Sequence, residues 1–541
     1  MLPRFASRGV TPTRLAVILG LVITIAMSQT AGAAETDKLR AELEAMKAQH
    51  AEQAARMRVL EERILALESA TPTPLPATPV AAAGQAQQLV NKEYQHDTES
   101  RDQSLLTAAH PYAGRVQEVL QGFMDIHGYF RAGYGRNDAG GSMVGFQAPG
   151  ASAKYRLGNE ADTYGEITFG KNFYGEDAFK VDSATGEVTA GSGPIGRFQT
   201  TIAAYTPIQD AINSGSANFS FAEIWGSVGN VFSSQPSLKF WAGNRYYRRH
   251  DIHLNDFFFS NMSGTGGGFE DLKLRNGKLA LAWIGTPGSS GVSSAPEPDA
   301  ANKAGFSKTS FDLRLYDMDV PGGRGEAGLV FSRTTSGLDS NGNVAPETTG
   351  FSGMFIHTRQ GVFSEDGVNK ASIQFGTGAA KTLNSGFETF ALNGQTFIRA
   401  DHPDSWRLRM TENFTANLSD SFSMGPALIY QITDYAGDEG KVQWASAALR
   451  PIWHFDQRIS LALEGGADWV KDDNAGTDGV LYKLTLAPQV SLGGRFMSRP
   501  VVRAFVTYAS WSDDFIGLIG GKDYATDSEG LTGGMHMEVW W

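Results

Sequence analysis

From residue 121 to the C-terminus, short stretches of this chain alternate apolar and polar side chains, and clusters of Gly, Asn, Asp and Ser separate them. An extended strand points successive side chains to opposite faces, so each stretch specifies a two-faced strand and the segment reads as all-β. In residues 124–134, Met124, Ile126, Gly128, Phe130, Ala132 and Tyr134 make one face, and Asp125, His127, Tyr129 and Arg131 the other. In residues 161–171, Ala161, Thr163, Gly165, Ile167 and Phe169 oppose Asp162, Tyr164, Glu166 and Thr168. The chain ends the same way, with Met535, Met537, Val539 and Trp541 on one row and His536, Glu538 and Trp540 on the other. Charges keep to one side throughout. Periodicity does not say which side is outermost, because a soluble sandwich buries its apolar face and a membrane barrel turns that face to lipid.

The start of the chain breaks the tie. Arg4, Arg8 and Arg14 precede an apolar run at 15–27, and Ala31-Gly32-Ala33 follow, which is the layout of a secretory signal peptide over residues 1–33. No later segment offers the roughly 20 consecutive apolar residues of a membrane helix, so an exported chain of this kind enters a bilayer only as a barrel. The terminal aromatic strand suits the closing strand of a barrel in the bacterial outer membrane. An outward apolar face then leaves a polar lumen, and a wide water-filled channel is the expected object. The chain has no cysteine, which removes disulfides, cysteine-held metals and thiol catalysis. Its net charge of −12 does not suit nucleic-acid binding. No Ser/His/Asp spacing stands out, so no enzyme activity, cofactor or metal is expected.

Between signal and barrel, Leu39, Leu43, Met46, Met57, Leu60, Ile64 and Leu67 fall at steps of four and three, with His50 and Gln53 in the two intervening slots. A heptad register without Gly or Pro predicts an α-helical coiled coil over residues 34–70, placed in the periplasm. The prolines at 72, 74, 76 and 79 end it, and residues 71–120 read as a Pro-rich and polar linker.

Several stretches resemble the maltoporin family of outer-membrane carbohydrate porins. They are His127-Gly128-Tyr129-Phe130-Arg131, Lys154-Tyr155-Arg156-Leu157-Gly158-Asn159-Glu160, Trp241-Ala242-Gly243-Asn244-Arg245 running into Arg249-His250-Asp251-Ile252-His253, Ser498-Arg499-Pro500, and Met537-Glu538-Val539-Trp540-Trp541. The resemblance implies an 18-stranded antiparallel transmembrane β-barrel over residues 121–541, and the added coiled coil looks like the sucrose-porin branch. It also implies a homotrimer among outer-membrane lipids that passes mono-, di- and oligosaccharides, with periplasmic contacts through the coiled coil.

The family guides sugars along a lane of aromatic rings and a track of ionic groups. By matching motifs, the lane resembles Tyr129, Tyr164, Phe355 and Trp540, and the track Arg131, Arg156, Glu166, Arg249, Asp251, His253 and Asp256. Residues 249–256 are expected on a loop folded into the pore, with Phe258 at its constriction. Maltoporins usually carry Tyr where this chain has Phe258, Asp at Asn261, Trp at Met497 and Arg near Ala222, together with a cysteine pair that is absent here. These departures make the constriction less polar and favour di- or oligosaccharides with looser specificity. A different class of reading makes the coiled coil a periplasmic tether with the barrel as its anchor.

Overall fold

The computed structural model describes residues 124–541, apart from 161, 182–187, 207–217, 288–306, 339–343, 346, 383, 393–394 and 400. The expected signal peptide (1–33), coiled coil (34–70) and linker (71–120) lie outside the described residues.

The alternating stretches become the barrel strands β1 (Asp125–Asn137), β2 (Thr163–Tyr174), β3 (Ile195–Thr206), β4 (Asn218–Gly229), β5 (Lys239–Arg245) and β6 (Gly264–Lys273). They continue as β7 (Lys278–Pro287), β8 (Ser307–Val320), β9 (Gly323–Thr334), β10 (Thr348–Gln360), β11 (Val368–Thr377) and β12 (Trp406–Ser419). The last six are β13 (Phe422–Asp434), β14 (Lys441–His454), β15 (Ile459–Asp472), β16 (Thr477–Ser491), β17 (Val501–Trp511) and β18 (Glu529–Trp540). Each pairs antiparallel with its neighbours in the chain, and β18 returns to β1, from Trp540 opposite Tyr129 to Thr532 opposite Asn137. The 18 strands thus close on themselves. Closure leaves no row of unpaired backbone groups, which a hydrocarbon layer would penalise.

Gly128 shows how the seam is made. Trp541 and Gly128 exchange backbone hydrogen bonds of 3.2 Å in both directions. The Trp541 ring lies so close over Gly128 that an added Cβ would sit 2.2 Å from it, and the same ring stacks on Phe130 at 5.9 Å. Only glycine admits that ring at this point.

The two faces segregate as the alternation requires. Leu329, Phe351, Val506, Tyr482 and Met535 are exposed on the outer face, while Asp312, Arg314, Asp468, Thr507 and Glu538 are buried inside. The expected wide, water-filled lumen is nevertheless partly occupied. Residues 138–160, after β1, and 246–263, after β5, fold inward and bring an apolar core with them. Phe146, Tyr155, Leu157, Ile252, Leu254, Phe257 and Phe259 pack with Trp444, Phe496, Trp511 and Tyr524. A chain that offers its apolar strand face to lipid has little to pack inside, and its loops supply that material.

Candidate solute pathway

The two inward loops are pinned to the far wall by polar contacts. In the first, Tyr155 hydrogen-bonds Ser446 on β14 (3.0 Å), Leu157 N–H donates to Glu464 on β15 (2.9 Å), and Lys483 on β16 donates to the Tyr155 carbonyl (2.6 Å). In the second, a short hairpin pairs His250–Ile252 with Phe257–Ser260, and Arg409 on β12 donates to the Phe259 carbonyl at 2.7 Å. The loops meet where Arg156 N–H donates to the Leu254 carbonyl (2.9 Å). Together they hold a constellation against β1, β2 and β18.

Aromatic rings form its first part. Tyr129 and Trp540 face each other across the seam with ring centres 6.4 Å apart and planes 18° from parallel, and Tyr164 follows at 6.0 Å from Tyr129. All three occupy the inward parity of their strands. Guanidinium groups lie against this row: Arg499 is 4.1 Å from the Trp540 ring centre, Arg131 5.4 Å from Tyr164 and Arg156 5.9 Å from Tyr129.

An ionic network forms the second part. Arg131 donates to Asp162 through Nε (3.1 Å) and Nη2 (2.9 Å), to Glu160 (3.0 Å) and to Asp256 (3.3 Å). Arg156 donates to Glu160 (2.8 Å), to Glu538 (2.5 Å) and to the Tyr129 hydroxyl. Glu538 also accepts from Arg499 (2.7 Å) and Arg503 (3.3 Å). Burial, reinforced by Arg156, pushes the His253 imidazole well below its ordinary value, so the ring is neutral and its Nδ1 accepts from Arg156 (3.1 Å). Asp256 sits in the left-handed region (φ 49°), a conformation that Asp tolerates better than most residues, and from there its carboxylate reaches Arg131.

Tyr129, Arg131, Arg156, Tyr164, His253, Asp256 and Trp540 therefore come together, although Arg131 and Asp256 are 125 residues apart and Arg156 and Glu538 are 382 apart. Glu166 lies one step along β2, accepting from the Tyr164 hydroxyl. Arg249, Asp251 and Phe258 lie on the inward hairpin or beside it, with Asp251 opposite Phe258 and both exposed to the lumen. Phe355 does not join them. It stands on the outer face of β10 in line with exposed Phe351, opposite Ile373 on β11, itself exposed, and is 39% exposed. Its neighbours Met354 and Ile356 take the inward parity, so its assignment to the lane is corrected.

Sequence reasoning left out Glu160, Asp162, Arg499, Arg503 and Glu538, which neutralise or crowd the named arginines, and Tyr246, which donates to Glu166 at 2.9 Å. Glu538 carried a usable signal, since its parity places it inward beside Trp540. Tyr246 carried none, because it lies just beyond the end of β5.

The closed 18-strand wall, the inward loops and the lumen constellation coincide with a family match. The family model of the LamB porin matches residues 124–541. The chain belongs to the LamB porin family. It is accordingly an outer-membrane porin, a channel. Similar solved structures include the outer-membrane expressed OmpT of Vibrio cholerae, 9% identical over 77% of this chain and 97% of that one, with a TM-score of 0.35. OpdK from Pseudomonas aeruginosa is 10% identical over 77% of this chain and 98% of that one, with a TM-score of 0.39. The closed strand pairing itself, rather than these distant likenesses, defines the architecture.

The positions at which this LamB porin departs from the maltoporin pattern lie along the inward loop and its surroundings. Asn261 accepts from the Ser263 N–H (3.1 Å), and its carbonyl receives the Ser385 N–H (3.2 Å), which ties residues 246–263 to the loop at 378–405. Met497 packs against the interior apolar cluster, and Ala222 offers its carbonyl to Asn244 (3.0 Å). With Phe258 in place of Tyr, the hairpin presents a ring without a hydroxyl.

Proposed function

We propose that this LamB porin carries sugars by facilitated diffusion, along the aromatic row Tyr129, Trp540 and Tyr164 and the ionic groups beside it. A sugar entering a narrow passage loses hydrogen bonds to water, and charged donors and acceptors replace them while flat rings cover its C–H faces. Binding stays weak and multi-site, so that the solute leaves as readily as it enters. The observation that carries this reading is the near-parallel Tyr129–Trp540 pair with Arg156 and Arg499 laid against its rings.

Sucrose, maltose and short maltodextrins are the solutes in this reading, and the less polar constriction at Phe258, Asn261 and Met497 favours short sugars over long glucans. In this reading the assembly is a homotrimer, and the heptad register at 34–70 supports the likeness to the sucrose-porin branch, with the N-terminal segment in the periplasm. Reconstitution in planar bilayers is the test. Sucrose or maltooligosaccharides reduce the ionic current if the reading is right, and a current that none of them alters rules it out. Cross-linking in detergent reports the trimer. The heptad register also supports a tether reading, in which deleting residues 36–79 leaves sugar block intact and changes attachment of the envelope layers.

A further inference from the structure

Tyr246 touches the barrel wall and the inward hairpin at once. Its backbone N–H donates to Glu223 on β4 (2.8 Å), and its hydroxyl donates to Glu166 on β2 (2.9 Å), which the Tyr164 hydroxyl also reaches. Over its ring lies the Arg249 guanidinium, 4.0 Å from the centre, and Arg249 is also 4.1 Å from the centre of the Phe258 ring. Arg131, Arg156 and Arg499 are each held by carboxylates. Arg249 is held differently: Nε is buried with no hydrogen-bond partner among the described residues, and two aromatic rings lie where the others have a counter-ion.

We propose that Tyr246 is a positioning residue of the constriction, which presents Glu166 and Arg249 to a passing sugar as a fixed acceptor and donor and so sets how long the sugar dwells there. The inference rests on the sugar-channel reading. Stacking uses the faces of a guanidinium and leaves its edge N–H groups for hydroxyls, while it removes much of the freedom of a long side chain. A carboxylate that receives two phenol donors is likewise fixed in direction and keeps lone pairs for a ligand. Burial and then Glu166 push the Tyr246 phenol up, so it remains a protonated donor. Pre-organised partners of this kind lengthen residence more than they speed arrival.

The experiment uses the purified full chain in planar bilayers, with maltose as the probe and the half-blocking concentration and dwell time read from current fluctuations. If sucrose and maltooligosaccharides all fail to block wild type, the sugar-channel reading itself fails. If block occurs, Tyr246→Phe, which keeps the stack and removes the hydroxyl, shortens the dwell by about threefold, and Tyr246→Leu, which removes both, by about tenfold. The arrival rate stays within about twofold in both, and so does the sugar-free conductance of Tyr246→Phe. In a Glu166→Ala background, Tyr246→Phe adds nothing further. The inference is overturned by a Tyr246→Phe dwell equal to wild type, by an effect confined to the arrival rate, or by one that persists in full without Glu166. The conservative variant keeps the test decisive where Tyr246→Leu does not fold.

Discussion

Removing the Glu538 carboxylate is the sharpest perturbation of the lumen, because one buried group there answers three cations. Glu538 is 1% exposed and accepts from Arg156 at 2.5 Å, Arg499 at 2.7 Å and Arg503 at 3.3 Å, with the Tyr129 hydroxyl at 3.3 Å. A hydrogen bond to a charged group contributes about 1.5–3 kcal/mol, so the site gathers several such terms. They are not all lost in Glu538→Ala: Arg156 keeps Glu160 (2.8 Å), Arg503 keeps Gln489 (2.8 Å), and Arg499 keeps the Ser498 carbonyl (2.9 Å). The remainder is the penalty for crowding three guanidiniums with one counter-charge fewer, for which breaking a buried pair gives about 3–5 kcal/mol. Glu538→Gln keeps an acceptor oxygen and loses only the charge, so its loss is about 1–3 kcal/mol. Equilibrium urea unfolding of the barrel in lipid vesicles, followed by tryptophan fluorescence, measures both. A Glu538→Ala loss below about 1 kcal/mol, the range of solvent-screened pairs, would refute the view that Glu538 is the buried counter-charge holding these three arginines in place.

Trp540→Ala raises the half-blocking concentration of maltose by roughly threefold to tenfold, the worth of one aromatic contact, whereas Phe355→Ala leaves it unchanged because that ring points outward. Gly466→Val drives a side chain into Tyr155, since even a Cβ at 466 would sit 2.3 Å from that ring. It destabilises the barrel by about 1–3 kcal/mol and exposes residues 138–160 to protease, and an uncleaved loop contradicts the docking. In the loop at 378–405, burial works to raise the Glu388 carboxyl, but Arg407 and Lys381 outweigh it and hold the group at about 2. A depressed folded value gives stability that is present above the unfolded value of about 4.3 and is lost as pH falls towards 2. The protection of amides in residues 378–405, which is their exchange divided into the intrinsic rate at each pH, therefore stays flat from pH 7 to about 5 and falls below that, and Glu388→Gln abolishes this pH dependence; loss of protection already at pH 6 would contradict this anchor.

Where one face of a strand is polar, its direction was readable from local alternation. Tyr129 and Arg131 on β1, Tyr164 and Glu166 on β2, and His536, Glu538 and Trp540 on β18 point inward as their parity requires. Phe355 shows the limit of that reading. On β10, Phe351 and Phe355 stand outside while Met354 and Ile356 stand inside, so both rows are apolar around residue 355 and a resemblance of a few residues was left to choose. The motif led to the expectation that positions 249–256 sit on an inward loop, but it did not give their partners: that Arg156 reaches Glu538, or that Arg249 lies between Tyr246 and Phe258, depends on where two loops land. The apolar filling of the lumen was equally hidden, because Phe146, Tyr155 and Phe257 lie in segments with no strand period.

By itself, the order of residues determined the class of structure and the side of the wall to which most strand residues belong, since side-chain direction in a strand is set by its immediate backbone neighbours. Closure, the inward path of two loops and the choice of carboxylate for each arginine were decided only in three dimensions. Those contacts join groups up to hundreds of residues apart, and a displacement of a few ångströms would exchange one counter-ion for another.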